Sequence, residues 1–356
     1  MAIGNGPQFG ALLGMYAQSL AEGHTLQRKE LRSQTIREYL EAINLLFTSH
    51  SFDAPVDFDD KKSISTNVYD SVKTWESEPN QRTYMAPEVL AALMTKAAAV
   101  AQNAPDSLIP VVCDWVLLSR YTGFRLCEYG QKTQTRIEYH TVGHNQKRIM
   151  KAMQRSDFRF FDAQGNVITD LINDRDRVVS VEITWRVQKN RRNGQKITWV
   201  ANAAFPLLCP VQAALRIATR SIRLGLSESG VPLGCYIKTS AKKNKVVYIT
   251  GNVISDVLRA VAKDVYPHIT DSELSLYSAH MLRVSACVLL QQANKADHYI
   301  KMRLRWAGES YQVYLRNTPI LASQHIDAAN LPANAVSLLV AELTALDMGV
   351  YTTFTE

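Results

Sequence analysis

Apolar residues recur at three- and four-residue steps in several stretches of the chain, the pattern of helices with one buried face. Ile36, Tyr39, Leu40, Ile43, Leu46 and Phe47 trace such a face, with Arg37, Glu38 and Asn44 opposite and Ser33 placed as an N-cap. A short apolar helix is predicted over residues 9–21. Residues 53–78 are polar and read as a loop plus a short helix. Pro87 starts an alanine-rich helix running to about residue 102, and Pro110 opens an apolar helix over 111–121 that stops at Thr122-Gly123. Phe124-Arg125-Leu126-Cys127-Glu128 then starts another. Residues 210–224 read as a helix carrying Arg216, Arg220 and Arg223. Val253, Ile254, Val257, Leu258, Val261 and Ala262 give a core helix over 252–265. A helix over 279–293 places His280 and Arg283 three apart on one face. The next helix carries His298 and Tyr299, both read as structural. After Pro332, Val336, Leu338, Leu339, Val340, Leu343 and Leu346 predict a last apolar helix.

Alternating patterns are fewer. Residues 157–161 and 167–168 flank the turn Asp162-Ala163-Gln164-Gly165-Asn166, which predicts a hairpin. Val179, Val181, Ile183 and Trp185 alternate along a strand that pairs with residues 196–200 around the polar tip 188–195. The lysine-rich stretch 238–245 lies between apolar strands. The fold class predicted is mainly α with small β-hairpins or a small sheet. Residues 1–8, with Gly4, Gly6 and Pro7, are expected to be disordered. Residues 9–79 form a helical domain, residues 80–330 a larger α+β domain starting at the linker Asn80-Gln81-Arg82, and residues 331–356 a tail helix.

Composition sharpens this only in part. A chain of 356 residues, 46% hydrophobic, has enough apolar material for two ordinary domains. The net charge of +7 and the pI near 9.1 favour an anionic partner without identifying one. Cys113, Cys127, Cys209, Cys235 and Cys287 lie far apart, with no C-x-x-C pair, which argues against a disulfide framework or zinc ribbon and for a reducing compartment. No signal-peptide pattern and no run of about 18 apolar residues is present, so a soluble, intracellular protein without a membrane partner is expected.

The chemistry is concentrated near the end. His280-Met281-Leu282-Arg283, then Arg305-Trp306, then Ser310-Tyr311-Gln312-Val313-Tyr314-Leu315-Arg316 bring together cationic side chains, an imidazole, an indole donor and two phenols. Such a set can hold a phosphodiester and attack it. Guanidinium forks match phosphate oxygens and keep their charge, and a phenol of ordinary pKa near 10 becomes a better nucleophile beside them. Taken alone, Arg125 and Glu128 read as a surface ion pair worth a few tenths of a kcal/mol.

The ordered combination H-x-x-R, R-W and Y-L-R resembles the end of the catalytic domain in tyrosine recombinases of the lambda-integrase type. Within that family it is most like the crypton and DIRS-like recombinases of eukaryotic mobile elements. Thr122-Gly123-Phe124-Arg125-Leu126-Cys127-Glu128 is the second point of resemblance, as T-G-x-R-x-x-E. The resemblance implies an N-terminal helical core-binding domain that presses on DNA and an α+β catalytic domain. It makes Tyr314, in the Y-L-R context, the nucleophile; Tyr311, which lacks that context, is the other candidate. Arg125, Arg283, His280 and Trp306 would hold the phosphate, with Glu128 supporting Arg125. Lys189, on a mobile hairpin, would protonate the leaving oxygen, with Lys196 as the fallback; Arg191 and Arg192 read as solvated or as phosphate contacts. Leu304 and Ser285 depart from the family, which usually has glycine at both positions.

The activity implied is site-specific cutting and rejoining of double-stranded DNA through a 3′-phosphotyrosyl link, with no metal, ATP or other cofactor. The partners implied are double-stranded DNA and further copies of the chain, a dimer on each site and a synaptic tetramer, with the tail helix docking on a neighbour. The location implied is the nucleus if the source is eukaryotic, otherwise the cytoplasm or nucleoid. Three other readings stay open: a catalytically silent DNA-binding protein derived from a recombinase, a strand-relaxing enzyme of the type IB topoisomerase kind, and a helical interaction protein.

Overall fold

The computed structural model describes residues 7–76, 83–142, 147–188, 192–239 and 243–315. The chain falls into two compact units, Met1–Asn80 and Gln81–Glu356. Three helices make the first: α1 (Pro7–Ala21), α2 (Ser33–Ser49) and α3 (Ile64–Trp75). Leu13, Ala17 and Leu20 of α1, Ile36 and Leu40 of α2, Val56 and Tyr69 form their shared core. The buried stripe of α2 is narrower than its sequence suggests. Ile36 and Leu40 are fully buried, whereas Tyr39 and Leu46 are exposed. Ser33 is the first helical residue rather than the N-cap, which is Arg32. Its backbone N–H and hydroxyl both donate to the Glu76 carboxylate just beyond α3, so a residue from another helix satisfies the start of α2.

The second unit is mainly α with small antiparallel sheets. Its helices are α4 (Pro87–Ala101), α5 (Leu108–Thr122), α6 (Leu126–Tyr129), α7 (Pro210–Arg223), α8 (Gly251–Val265), α9 (Asp271–Ser275), α10 (Met281–Gln292) and α11 (Asp297–Leu304). Its strands are β1 (Tyr139–Val142), β2 (Lys147–Met150), β3 (Phe158–Phe161), β4 (Val167–Ile168), β5 (Ser180–Trp185), β6 (Gln195–Val200), β7 (Cys235–Lys238) and β8 (Lys245–Tyr248). They form a sheet in the order β4-β3-β5-β6 and two separate hairpins, β1-β2 and β7-β8. The β1-β2 hairpin has no clear alternation in the sequence to predict it. In β5 the expected alternation holds from Val181 on: Val181, Ile183 and Trp185 are buried, opposite Phe160, Phe158 and Gln195 respectively on the neighbouring strands, whereas Val179, just before the strand, is exposed.

Helix α5 is apolar nearly all round because it is buried on all sides, against α4, α7 and α10. Its one buried carboxylate, Asp114, is held at 2.5 Å by both Arg216 and Arg220, which ties α5 to α7. The helix ends where Gly123 turns into the left-handed region (φ 56°). Leu304 fills the space beside that glycine: a Cβ there would come within 3.0 Å of its Cδ2. A smaller second core of Val284, Cys287, Val288, Ile300, Leu304, Tyr311 and Leu315 joins α10 and α11 to a 3-10 turn, Glu309–Tyr314. Lys189, Arg191, Arg316, the tail helix over 331–356, most of the segment 1–8 and the linker residues 80–82 lie outside the described residues.

Candidate active site

The left-handed turn at Gly123 sends the chain through Phe124 to Arg125, which sits at the N-cap of α6. Glu128, in the first turn of α6, accepts the Arg125 backbone N–H at 2.9 Å and its guanidinium at 3.2 Å. His280 occupies the N-cap position of α10 without a side-chain capping bond, so it precedes the helix on which it was expected; Arg283 follows in the first turn. Helix α11 is stopped by Arg305, itself left-handed (φ 60°), and the chain leaves in a new direction at Trp306. Tyr314 ends the 3-10 turn.

These five residues, Arg125, His280, Arg283, Trp306 and Tyr314, line one pocket of about 650 Å³. His280 Nε2 lies 2.9 Å from the Tyr314 hydroxyl. The Arg283 guanidinium stands 4.1 Å from the centre of the Trp306 ring, and that ring meets Tyr314 edge-on at 5.5 Å. The Trp306 indole N–H is buried with no hydrogen-bond acceptor among the described residues. Leaving such a donor unsatisfied costs about 1–3 kcal/mol, which an acceptor arriving with a ligand would offset.

Arg283 is 3% exposed and donates to the carbonyls of Gly123 and Leu304, which fixes its fork between the end of α5 and the end of α11. Burial lowers its guanidinium to about 9; Arg125 and Arg305 add to the shift, while Glu128 and Tyr314 oppose it. It therefore keeps its charge at neutral pH. Glu128 is not the surface partner its spacing suggested. It is 2% exposed, and besides Arg125 it accepts the Arg305 guanidinium at 2.8 Å and the Trp185 indole N–H at 3.3 Å.

Arg305, grouped by its sequence neighbour with the phosphate-holding side chains, is absent from the pocket lining and 1% exposed. Its guanidinium lies 3.9 Å over the Trp185 ring and donates to the Thr122 carbonyl at 2.9 Å. Sequence reasoning missed this role and that of Trp185. The available signal was Trp185 itself, the last inward position of an alternating strand and the one with a polar edge to satisfy.

The other candidates lie elsewhere. Tyr311 is fully buried in the smaller core, and burial, with the Asp297 carboxylate adding, pushes its phenol up to about 12. Lys196 is half exposed on β6 and pairs with Glu182 at 3.5 Å. Lys189 is not among the described residues, but the base of its loop is: Gln188 donates its backbone N–H to Asn193 at 2.7 Å and its side-chain amide to Gln195 at 3.2 Å. Ser285 accepts the Met85 backbone N–H and donates to the Met281 carbonyl, both at 2.8 Å, so it ties α10 to the start of α4. Among the described residues no group of three or more His, Cys, Asp or Glu side chains could hold a metal ion, and no helix is long and apolar enough to cross a membrane.

No protein-family model matches the chain, and no curated protein matches it. Among solved structures the chain is similar to the crystal structure of XerA recombinase, with 12% identity, 91% of this chain and 82% of that chain covered, and a TM-score of 0.38. A likeness that low carries no weight for function.

Proposed function

We propose that the chain cuts and rejoins DNA through a covalent bond between Tyr314 and a strand end, as a tyrosine recombinase does. The observation that carries this reading is the 2.9 Å contact between His280 Nε2 and the Tyr314 hydroxyl, in a pocket that Arg125 and Arg283 also line. A phosphodiester entering there meets fixed positive charge for its non-bridging oxygens and the unsatisfied Trp306 N–H. Tyr314 passes its proton to His280 and attacks phosphorus. The bond to the 5′ oxygen breaks, that oxygen takes a proton from Lys189, and a 3′-phosphotyrosyl link remains. Attack by another 5′ hydroxyl reverses the step on a new partner strand. By resemblance the substrate is the end of a mobile element, and exchange runs in a tetramer that holds two duplexes.

The test is a denaturing gel after incubation with a pool of duplexes of random sequence, each nicked so that cleavage is trapped. Wild type and Tyr311→Phe are expected to give a protein–DNA adduct, and Tyr314→Phe none. An adduct lost only in Tyr311→Phe would move the nucleophile to the buried phenol. Shifted DNA on a native gel with no adduct from any of the three would point to recognition without cleavage.

A further inference from the structure

The pocket uses two arginines, yet a third, Arg305, is buried next to them and reaches none of the pocket wall. We infer that Arg305 is a positioning residue: by binding Glu128 it keeps that carboxylate from taking Arg125 with both oxygens, and so leaves Arg125 turned to the phosphate. This rests on the reading of the pocket as a DNA-cleaving site.

The geometry around Glu128 supports it. A buried carboxylate must be compensated, and a carboxylate beside a single arginine takes its fork in two parallel bonds. Here Oε2 is occupied by three other donors: Arg305 at 2.8 Å, the Arg125 backbone N–H at 2.9 Å and Trp185 at 3.3 Å. Only Oε1 remains for the Arg125 guanidinium, at 3.2 Å. Among the described residues the Arg125 guanidinium is thereby held by one long contact, with 19% of its side chain exposed and in the pocket lining. Arg305 also takes the Thr122 carbonyl while Arg283 takes that of Gly123, so the two buried guanidiniums clamp the turn from which Arg125 projects. Its own place is fixed by the left-handed backbone at the end of α11 and by the Trp185 ring beneath it. That backbone conformation is costly for any residue but glycine, and here it aims the side chain at Glu128.

The experiment compares wild type, Tyr314→Phe, Arg305→Met, and the double variant Glu128→Gln/Arg305→Met. Circular dichroism checks folding, a native gel reads affinity for the random duplex pool, and single-turnover adduct formation reads the rate. In Arg305→Met, Glu128 is expected to draw Arg125 in. Adduct formation should then fall ~100-fold, the cost of misplacing a positioning group by about 1 Å, with affinity changed less than about 3-fold. Removing the carboxylate charge as well should recover at least ~10-fold of that rate, because the two sites are coupled.

A wild-type rate in Arg305→Met overturns the inference, as does a loss that the double variant does not recover, which a merely structural arginine would give. Should Arg305→Met not fold, the double variant decides: a rate within about 10-fold of wild type supports the inference, and a loss to the Tyr314→Phe level overturns it. An adduct absent from wild type, by contrast, removes the reading of the pocket itself.

Discussion

Tyr311 and Tyr314 are three positions apart, and a 3-10 turn sends them to opposite surroundings. Tyr314 reaches His280 in the pocket, whereas Tyr311 is fully buried among α10 and α11 side chains. A phenol held at about 12 is a poor nucleophile near neutrality, so the burial that recommends Tyr311 to the core disqualifies it from the chemistry. It also makes Tyr311 a source of alkaline instability. In the unfolded chain its phenol ionises near 10, in the folded chain near 12, so the native state holds the proton longer. The stability this supplies is complete below about pH 10 and is lost as pH rises towards about 12. Tyr129, also buried with its phenol pushed up, adds a loss of the same sign. Urea unfolding at pH 9 and pH 11 should show Tyr311→Phe losing less stability between the two than wild type. An equal loss in both proteins would mean that Tyr311 ionises normally.

At the scale of elements, the helices were legible because their apolar spacing and their proline and glycine punctuation agree: α4, α5, α7, α8 and α10 appear within a few residues of where the pattern puts them. What periodicity does not show is which polar group closes each element. The start of α2 is satisfied by Glu76, and α11 is stopped by a left-handed arginine where a glycine is the usual choice. Ser285 is of the same kind. Judged against the family resemblance it is a departure from glycine. In the structure its hydroxyl supplies the acceptor for the Met85 N–H at the approach to α4, 200 residues away in sequence. Restoring the usual residue is therefore expected to harm. Ser285→Gly should cost about 1.5–3.5 kcal/mol, about 0.5 kcal/mol of it from helix propensity and the rest from a buried N–H left without an acceptor. The urea midpoint measures it, and an unchanged or raised midpoint would show that another group replaces the hydroxyl.

At the scale of the molecule, the pocket draws on positions from 125 to 314, and the sequence announced the residue types and their order but not the hub that joins them. Arg125, His280, Arg283, Trp306 and Tyr314 were readable because their chemistry is unusual in combination. Arg305 and Trp185 were not, because an arginine paired inside a core and one at a phosphate look alike in sequence. The same limit applies to cores: periodicity shows that a helix has a buried face, not which core that face joins. Each unit has a core of its own. Leu40 belongs to that of the first unit, and Leu118 to the large core of the second; both are fully buried. Each unit thus has the means to unfold as its own cooperative body. Leu40→Ala and Leu118→Ala should each cost about 2–5 kcal/mol, but in different places. Calorimetry is expected to show two transitions, with Leu40→Ala lowering one and Leu118→Ala the other. If either substitution moved the whole profile together, the two cores would have to be energetically one.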